Sequence, residues 1–164
     1  MNIATNEYSE ARRLLLKGAG VAALVGLGVI PFDVPRALAA ANDKYPEDAF
    51  KQKTVADAIK ALYGKTAEPS DKVKMDAPEI AENGAVVPIS ATTTLSGVTS
   101  ISFLVSENPI SLVASYKIPG GTLPSVGNRI KMAKTSNVVV LVEADGKLYS
   151  ATKEIKVTVG GCGG

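Results

Sequence analysis

The 164-residue sequence contains no histidine and no tryptophan, and its only cysteine is Cys162. Without histidine, the thiol has no imidazole base of the kind that cysteine hydrolases use. A single cysteine excludes both an internal disulfide and a CxxC redox pair. Zinc sites are built mainly from histidine and clustered cysteine, and this chain has neither. We therefore expect no catalytic residue and no metal site.

Acidic and basic side chains are nearly balanced in number. The segment 1–39 holds four of the 18 basic and three of the 16 acidic side chains, which leaves 14 against 13 in the rest of the chain. A net charge near +1 argues against a nucleic-acid partner. The sequence has no GxxxxGK phosphate-binding loop and no glycine spacing of the dinucleotide-binding type, so we expect no cofactor.

The segment 1–39 has the features of an export signal. Residues 11–17 resemble the twin-arginine signature, with Arg12 and Arg13 as the pair, and residues 18–30 form an apolar run too short to span a membrane. Residues 37–39, Ala-Leu-Ala, fit a cleavage site. We predict a twin-arginine signal peptide at 1–39, a periplasmic location and no membrane association after cleavage; an ordinary secretory signal is the alternative.

One helix is predicted at the start of the mature chain, over residues 46–63. Thr54 and Asp57 resemble a capping box, and Gly64 is a suitable C-terminal stop. Val55, Ile59 and Leu62 share one face of this helix, and we expect that face to pack against a sheet.

The remainder of residues 40–159 is predicted to be one β-rich domain. Asp145-Gly146 indicates a tight hairpin whose second strand runs into the tail, and we expect Lys153, Lys156 and Thr158 to share one face of that strand. Strands at this spacing favour an immunoglobulin-like antiparallel β-sandwich with a short N-terminal helix. The predicted strands cover residues 86–94, 98–106, 110–118, 129–133, 137–143 and 148–159, with a short edge strand at 72–75 and a turn at 82–84.

A basic group follows the loop at residues 119–124. Arg129, Lys131 and Lys134 are either a solvated strand face, the commoner case, or cations that attract an anion on the tail or an acidic rim on a partner. We do not assign them to a site at this stage.

The last five residues, 160–164, are predicted to form a flexible arm. Cys162 is flanked by Gly160, Gly161, Gly163 and Gly164, which have no side chains to crowd the thiol. About 3.3 Å per extended residue allows a reach of roughly 10 Å from Val159 to Cys162. An exposed thiol with an ordinary pKa of about 8.5 is only slightly ionised at neutral pH, so we expect another protein to activate it.

This ending resembles the SoxY family, the sulfur-carrier subunits of periplasmic thiosulfate oxidation, whose members end in Gly-Gly-Cys-Gly-Gly. The leader, the short helix, residues 82–89 (ENGAVVPI) and the β-rich remainder are also similar to that family. The resemblance implies a non-catalytic carrier that holds sulfur intermediates covalently on Cys162. It further implies a stable heterodimer with SoxZ and transient docking to SoxAX, which conjugates the sulfur, to SoxB, which releases sulfate, and to SoxCD, which oxidises the remaining sulfur.

Other functions remain open from the residues alone. Cys162 could instead form an intermolecular disulfide in a structural sandwich subunit. Ubiquitin-like sulfur carriers also end in Gly-Gly and would carry sulfur on Gly164, but those proteins are cytosolic and the leader predicts export. A thiol enzyme is the weakest alternative, because the chain has no histidine to activate the sulfur.

Overall fold

The computed structural model describes residues 45–159. The predicted signal peptide, with Arg12 and Arg13, and the predicted arm at 160–164 lie outside the described residues, and so do the domain boundaries proposed next to them. Within residues 45–159, no helix is long and apolar enough to cross a membrane.

An α-helix, α1 (Val55–Tyr63), precedes the strands. The predicted cap is confirmed: Thr54 is extended, and its hydroxyl accepts a hydrogen bond from the backbone N–H of Asp57 at 3.1 Å. Gly64 ends the helix in the left-handed conformation, with φ of 63°. The prediction of one helix from residue 46 is wrong for residues 46–54, because the extended Gln52 and Thr54 separate α1 from a 3₁₀ turn at Ala49–Lys51.

In the described part of the chain, the strands form two sheets that pack face to face. The larger sheet has the order β1-β9-β8-β5-β6, with β3 also paired to β9, and the smaller has the order β2-β4-β7. The predicted β-sandwich is therefore confirmed. The strands are β1 (Ala67–Pro69), β2 (Val73–Asp76), β3 (Ile80–Asn83), β4 (Val87–Thr93), β5 (Val98–Val105), β6 (Leu112–Lys117), β7 (Ser125–Ile130), β8 (Ser136–Ala144) and β9 (Lys147–Val159).

The strand predictions differ from the structure in three places. The strand expected at 129–133 is β7 at Ser125–Ile130, because pairing with β4 runs from Val87↔Ile130 to Thr92↔Ser125. The turn expected at 82–84 begins later, since Ile80–Asn83 form β3. The short strands β1 and β3 are not among the predicted elements, and both pair parallel to β9 in an otherwise antiparallel sandwich.

Apolar side chains are buried on both faces of the larger sheet. Between the two sheets lies a core that includes Ile101, Phe103, Val140 and Ile155. On the other face, the predicted apolar stripe of α1 packs against a second cluster that contains Leu104, Leu112, Val139, Leu141 and Leu148. Because β5 and β8 are covered on both faces, they form the rigid centre to which β9 is attached.

Two ionisable side chains connect α1 and the segment after it to the larger sheet. The Tyr63 hydroxyl lies 3.0 Å from Ser100 Oγ and 2.7 Å from Ser102 Oγ, and burial raises the pKa of Tyr63. Lys65 donates to Glu143 at 2.5 Å, and this hydrogen bond is the main cause that lowers the pKa of the Glu143 carboxyl. Both groups hold elements together, and their pKa shifts need no catalytic explanation.

The hairpin predicted at Asp145-Gly146 joins β8 to β9, with φ of 49° at Asp145 and 75° at Gly146. Next to it, Gly97 has φ of 62°, and a Cβ atom at that position would overlap the Asp145 carboxylate. Gly97→Ala is therefore expected to lower the free energy of unfolding by about 1–3 kcal/mol in urea titrations. Gly121→Ala is the matched control, because φ is 81° there but no atom lies within 4 Å of the added Cβ. Equal losses in the two variants would show that the overlap costs nothing.

Candidate functional site at the root of the C-terminal arm

The C-terminal end of β9 is the part of the structure that positions the predicted arm. Over most of its length β9 pairs with β8, from Ala144↔Lys147 to Ser136↔Ile155. The end of β9 extends past the end of β8 and pairs with β3, from Ile80↔Lys156 to Asn83↔Val159. The root of the arm is therefore held by a short parallel strand that is distant from β9 in the sequence.

Hydrogen bonds continue to the last described residue. The Gly84 N–H donates to the Val159 carbonyl at 2.7 Å, and the Met132 N–H donates to the Gly84 carbonyl, also at 2.7 Å. Gly84 and Met132 are both buried. The chain of hydrogen bonds thus joins the end of β9 to the turn between β3 and β4 and to the segment that follows β7.

Two threonines add side-chain hydrogen bonds at this end of β9, one on each edge of the strand. The Thr135 hydroxyl accepts from the Val157 N–H at 2.9 Å, where β8 no longer covers that edge. The Thr158 hydroxyl donates to the Glu82 carbonyl at 2.7 Å. Because these hydrogen bonds hold the strand up to Val159, the position from which the arm starts is well defined.

Side chains alternate along β9, but one prediction about them is wrong. The sequence pattern predicts that Lys153 shares a face with Lys156 and Thr158, whereas the period of two places it with Ile155 and Val157. Its Nζ donates to the Ala77 carbonyl at 2.6 Å, at the partly buried margin between the sheets. Lys153 therefore connects β9 to the segment between β2 and β3.

All three cations singled out in the sequence lie near the root end, since Lys134 immediately precedes Thr135. Arg129 is at the end of β7, opposite Pro88, and Lys131 immediately precedes the Met132 that contacts Gly84. Both side chains are exposed. Lys134 differs, because its Nζ lies 2.8 Å from Glu107 in a surface ion pair.

The root also carries exposed apolar side chains. Val159 is 64% exposed and Val86, in the segment that leads into β4, is 53% exposed. Beside them, an open groove of about 570 Å³ lies on the outer face of the smaller sheet; its lining includes Asp76, Pro78, Pro88, Ser90, Gly127 and Arg129. The part of the chain that the structure describes contains no cluster of three acidic or cysteine side chains that could hold a metal ion.

The sequence identifies the arm but not its surroundings. Cys162, Gly160, Gly161, Gly163 and Gly164 lie outside the described residues, so their predicted roles rest on the sequence. No sequence pattern predicts that Gly84, Met132 and Thr135 lie at the root. The pairing of β3 with β9 brings these distant residues together, and no local motif marks it.

Comparison with known proteins assigns the family. A family model described as "Sulfur oxidation protein SoxY" matches residues 59–162. The structure is similar to that of the sulfur carrier protein SoxY from Chlorobium limicola f thiosulfatophilum, with 44% sequence identity and a TM-score of 0.59, over 65% of this chain and 97% of that chain. A superoxide reductase (neelaredoxin) from Ignicoccus hospitalis is 19% identical, with a TM-score of 0.48, over 63% of this chain and 92% of that one. The chain matches no curated protein sequence. The match to the family model, over more than half of the residues, shows that this chain belongs to the SoxY family of sulfur oxidation proteins.

Proposed function

We propose that this protein is a periplasmic, non-catalytic sulfur carrier that holds intermediates of thiosulfate oxidation covalently on Cys162. One observation carries the proposal: the match to the SoxY family extends through residue 162, the position of the only cysteine in the chain. The solved SoxY that resembles this chain is described as a sulfur carrier protein. A carrier needs a nucleophilic atom and a folded body that partners can recognise; this chain has one thiol, at Cys162, and a folded sandwich before it.

The chemistry of loading requires an oxidant outside this protein. The Cys162 thiol joins the outer sulfur of thiosulfate to form a Cys-S-S-SO₃⁻ conjugate. This step releases one proton to solvent and two electrons to the haem protein that catalyses the conjugation. Addition of water across the S–SO₃ bond then releases sulfate and two protons, and leaves a persulfide anion, Cys-S-S⁻, on Cys162. The sequence of the arm has no histidine or other group that could activate the thiol. The enzyme that conjugates the thiosulfate must therefore supply the base that deprotonates Cys162 and the electron acceptor.

The structure of the root supports a swinging attachment. The hydrogen bonds of β9 continue to Val159, and four of the five residues after it are glycines. A fixed root followed by the predicted flexible arm would confine the sulfur to a radius of roughly 10 Å around the end of the sandwich. Each enzyme can therefore receive the same sulfur without a large interface of its own.

The proposal includes the partners and the export route that the resemblance implies. These are a stable heterodimer with SoxZ, transient contact with SoxAX, SoxB and SoxCD, and passage through the twin-arginine pathway by way of Arg12 and Arg13. Since that pathway exports folded proteins, a SoxZ without its own signal could be exported while bound to this chain.

Intact-mass measurement of the protein, isolated from its periplasm without reductant, tests the proposal. We expect a series of masses that exceed the unmodified chain by sulfur and sulfonate increments, all removed by an added thiol. A digest should locate the added mass on Cys162. A mass equal to the unmodified chain, or to a disulfide-linked dimer alone, would reject the carrier and favour the structural subunit.

A further inference from the structure

Charge is divided unevenly between two parts of the chain. Between Glu107 and Glu143 the sequence contains no acidic residue, but it contains Lys117, Arg129, Lys131 and Lys134. Residues 66–83, in contrast, hold five acids and two lysines. The first segment forms β6, β7 and most of β8, which lies in the middle of the larger sheet, and the second forms β1, β2 and β3. Strands β6 and β7, which carry cations and no acid, form the basic side of the sandwich, whereas acids outnumber lysines along β1, β2 and β3.

The basic side reaches the root of the arm. Arg129 pairs with Pro88 in the β4–β7 ladder, and Lys131 precedes Met132, whose N–H donates to Gly84. Neither the Arg129 nor the Lys131 side chain forms an ion pair with any other residue between 45 and 159. Their charges are therefore directed to solvent at the end of the sandwich from which the arm leaves.

Two exposed valines lie beside these cations. The Val86 N–H donates to the Asn83 carbonyl, and the Gly84 N–H next to it donates to the Val159 carbonyl, so the two valines flank one turn. More than half of each side chain is exposed. An apolar pair bordered by two cations on the β7 side and by the exposed Glu82 on the β3 side has the composition expected of a small docking surface with an apolar centre and a polar rim. We call Val86, Arg129, Lys131 and Val159 the arm-root surface.

We infer that the arm-root surface docks onto an acidic rim around the entrance of the enzyme pocket that receives Cys162. This inference rests on the proposed function. The predicted arm allows a reach of at most roughly 10 Å from Val159 to Cys162, so any enzyme that accepts the thiol must bring its entrance against this end of the sandwich. A rim of Asp and Glu would pair with Arg129 and Lys131, while the valines contact the apolar part of the entrance.

The charge arrangement also has a kinetic consequence. Complementary charge raises the rate of encounter, and its effect decreases as salt shortens the Debye length to about 10 Å at 0.1 M. Asp76 lies on β2, across the groove from Arg129. Its negative charge would repel the acidic rim and so favour the orientation in which the rim faces Arg129 and Lys131. Docking of this kind is fast and weak, as a carrier that visits several enzymes requires.

The test uses the mature full chain, loaded with thiosulfate on Cys162, and the hydrolase that releases sulfate from it. In the variant Arg129→Glu/Lys131→Glu, kcat/KM for sulfate release should fall about 10- to 100-fold at low salt, with little change in kcat. The decrease should become smaller as salt is added. The matched control is Lys74→Glu/Lys147→Glu, which changes the net charge equally at exposed positions near the opposite end of the sandwich. The control should stay within about twofold of the wild type.

Three outcomes would overturn the inference. If both double variants reduce kcat/KM equally, the net charge of the protein determines the rate of encounter, and the arm-root surface does not. If the Arg129/Lys131 variant retains wild-type rates, the surface is not used. If it loses association with SoxZ instead, the surface belongs to the stable heterodimer. If the glutamate variant does not fold, the variant Arg129→Gln/Lys131→Gln provides the test. Its kcat/KM for sulfate release should also fall, by a smaller factor. Absence of any conjugate on the wild type would be seen at the loading step and would reject the proposed function instead.

Discussion

Cys162→Ser is expected to abolish thiosulfate-dependent sulfate release in a reconstituted system and to leave no sulfur adduct on the chain. The serine hydroxyl remains protonated at neutral pH and cannot form the S–S bond that the conjugate requires. No other residue could substitute, because the sequence contains no second cysteine. Turnover should fall to the background of the assay, and the intact mass should equal that of the unmodified chain.

Controls for this prediction separate loss of the thiol from damage to the protein. Gly160→Ser places a hydroxymethyl group on the arm but keeps the thiol, so it should still acquire the conjugate. Thermal unfolding of Cys162→Ser and its association with SoxZ should match the wild type, since the described sandwich ends before residue 162. Substantial sulfate release by the serine variant would mean that sulfur is not carried on Cys162.

The elements that the sequence predicts correctly are those with local causes. The Thr54 cap, the Gly64 stop and the Asp145-Gly146 hairpin each depend on backbone preferences over a short stretch of chain. The long strands β8 and β9 are also located by their patterns, β8 by a continuous run of apolar residues and β9 by period-two alternation toward its end.

The errors in the prediction arise from pairing between distant segments. β3 is a strand because β9, at the far end of the domain in sequence, offers it a parallel partner, and the residues of β3 itself carry no strand signal. The sequence pattern places β7 too late because Gly127 weakens the pattern of the residues that pair with β4. Strand register is a tertiary property, and a single sequence does not contain it explicitly.

The candidate site also has one part that local sequence predicts and one part that depends on contacts between distant segments. The glycines adjacent to Cys162 in sequence predict an exposed thiol on a flexible arm, and the resemblance to the SoxY family implies its role as a carrier. The root cannot be inferred in this way, because Gly84 and Thr135 are both distant in sequence from the end of β9. Arg129 and Lys131 are recognisable as a basic group, but only the fold places them at the end from which the arm leaves.

Phe103→Ala is expected to lower the free energy of unfolding by about 3–5 kcal/mol. Phe103 is fully buried between the sheets, on β5, where it pairs with Ala114 on β6 and with Val140 on β8. Its ring contacts Tyr116 edge to face, with centroids 6.3 Å apart and planes at 85°. Because β5, which carries Phe103, is paired with a strand on each side, the cavity left by alanine cannot collapse easily. The loss of free energy of unfolding should therefore lie toward the upper part of that range.

Phe50→Ala is the matched control for this loss. Phe50 stacks on Tyr45 with centroids 5.1 Å apart, but it is only partly buried at the start of the described chain. The same change of side chain should therefore cost about 1–2 kcal/mol there. Urea titrations of both variants measure the two values, and equal losses would contradict the assignment of Phe103 to the central core. Under conditions in which the Phe103→Ala variant remains folded, it should still acquire sulfur on Cys162. The core residue affects the stability of the sandwich that holds the root of the arm, and it does not affect the thiol itself.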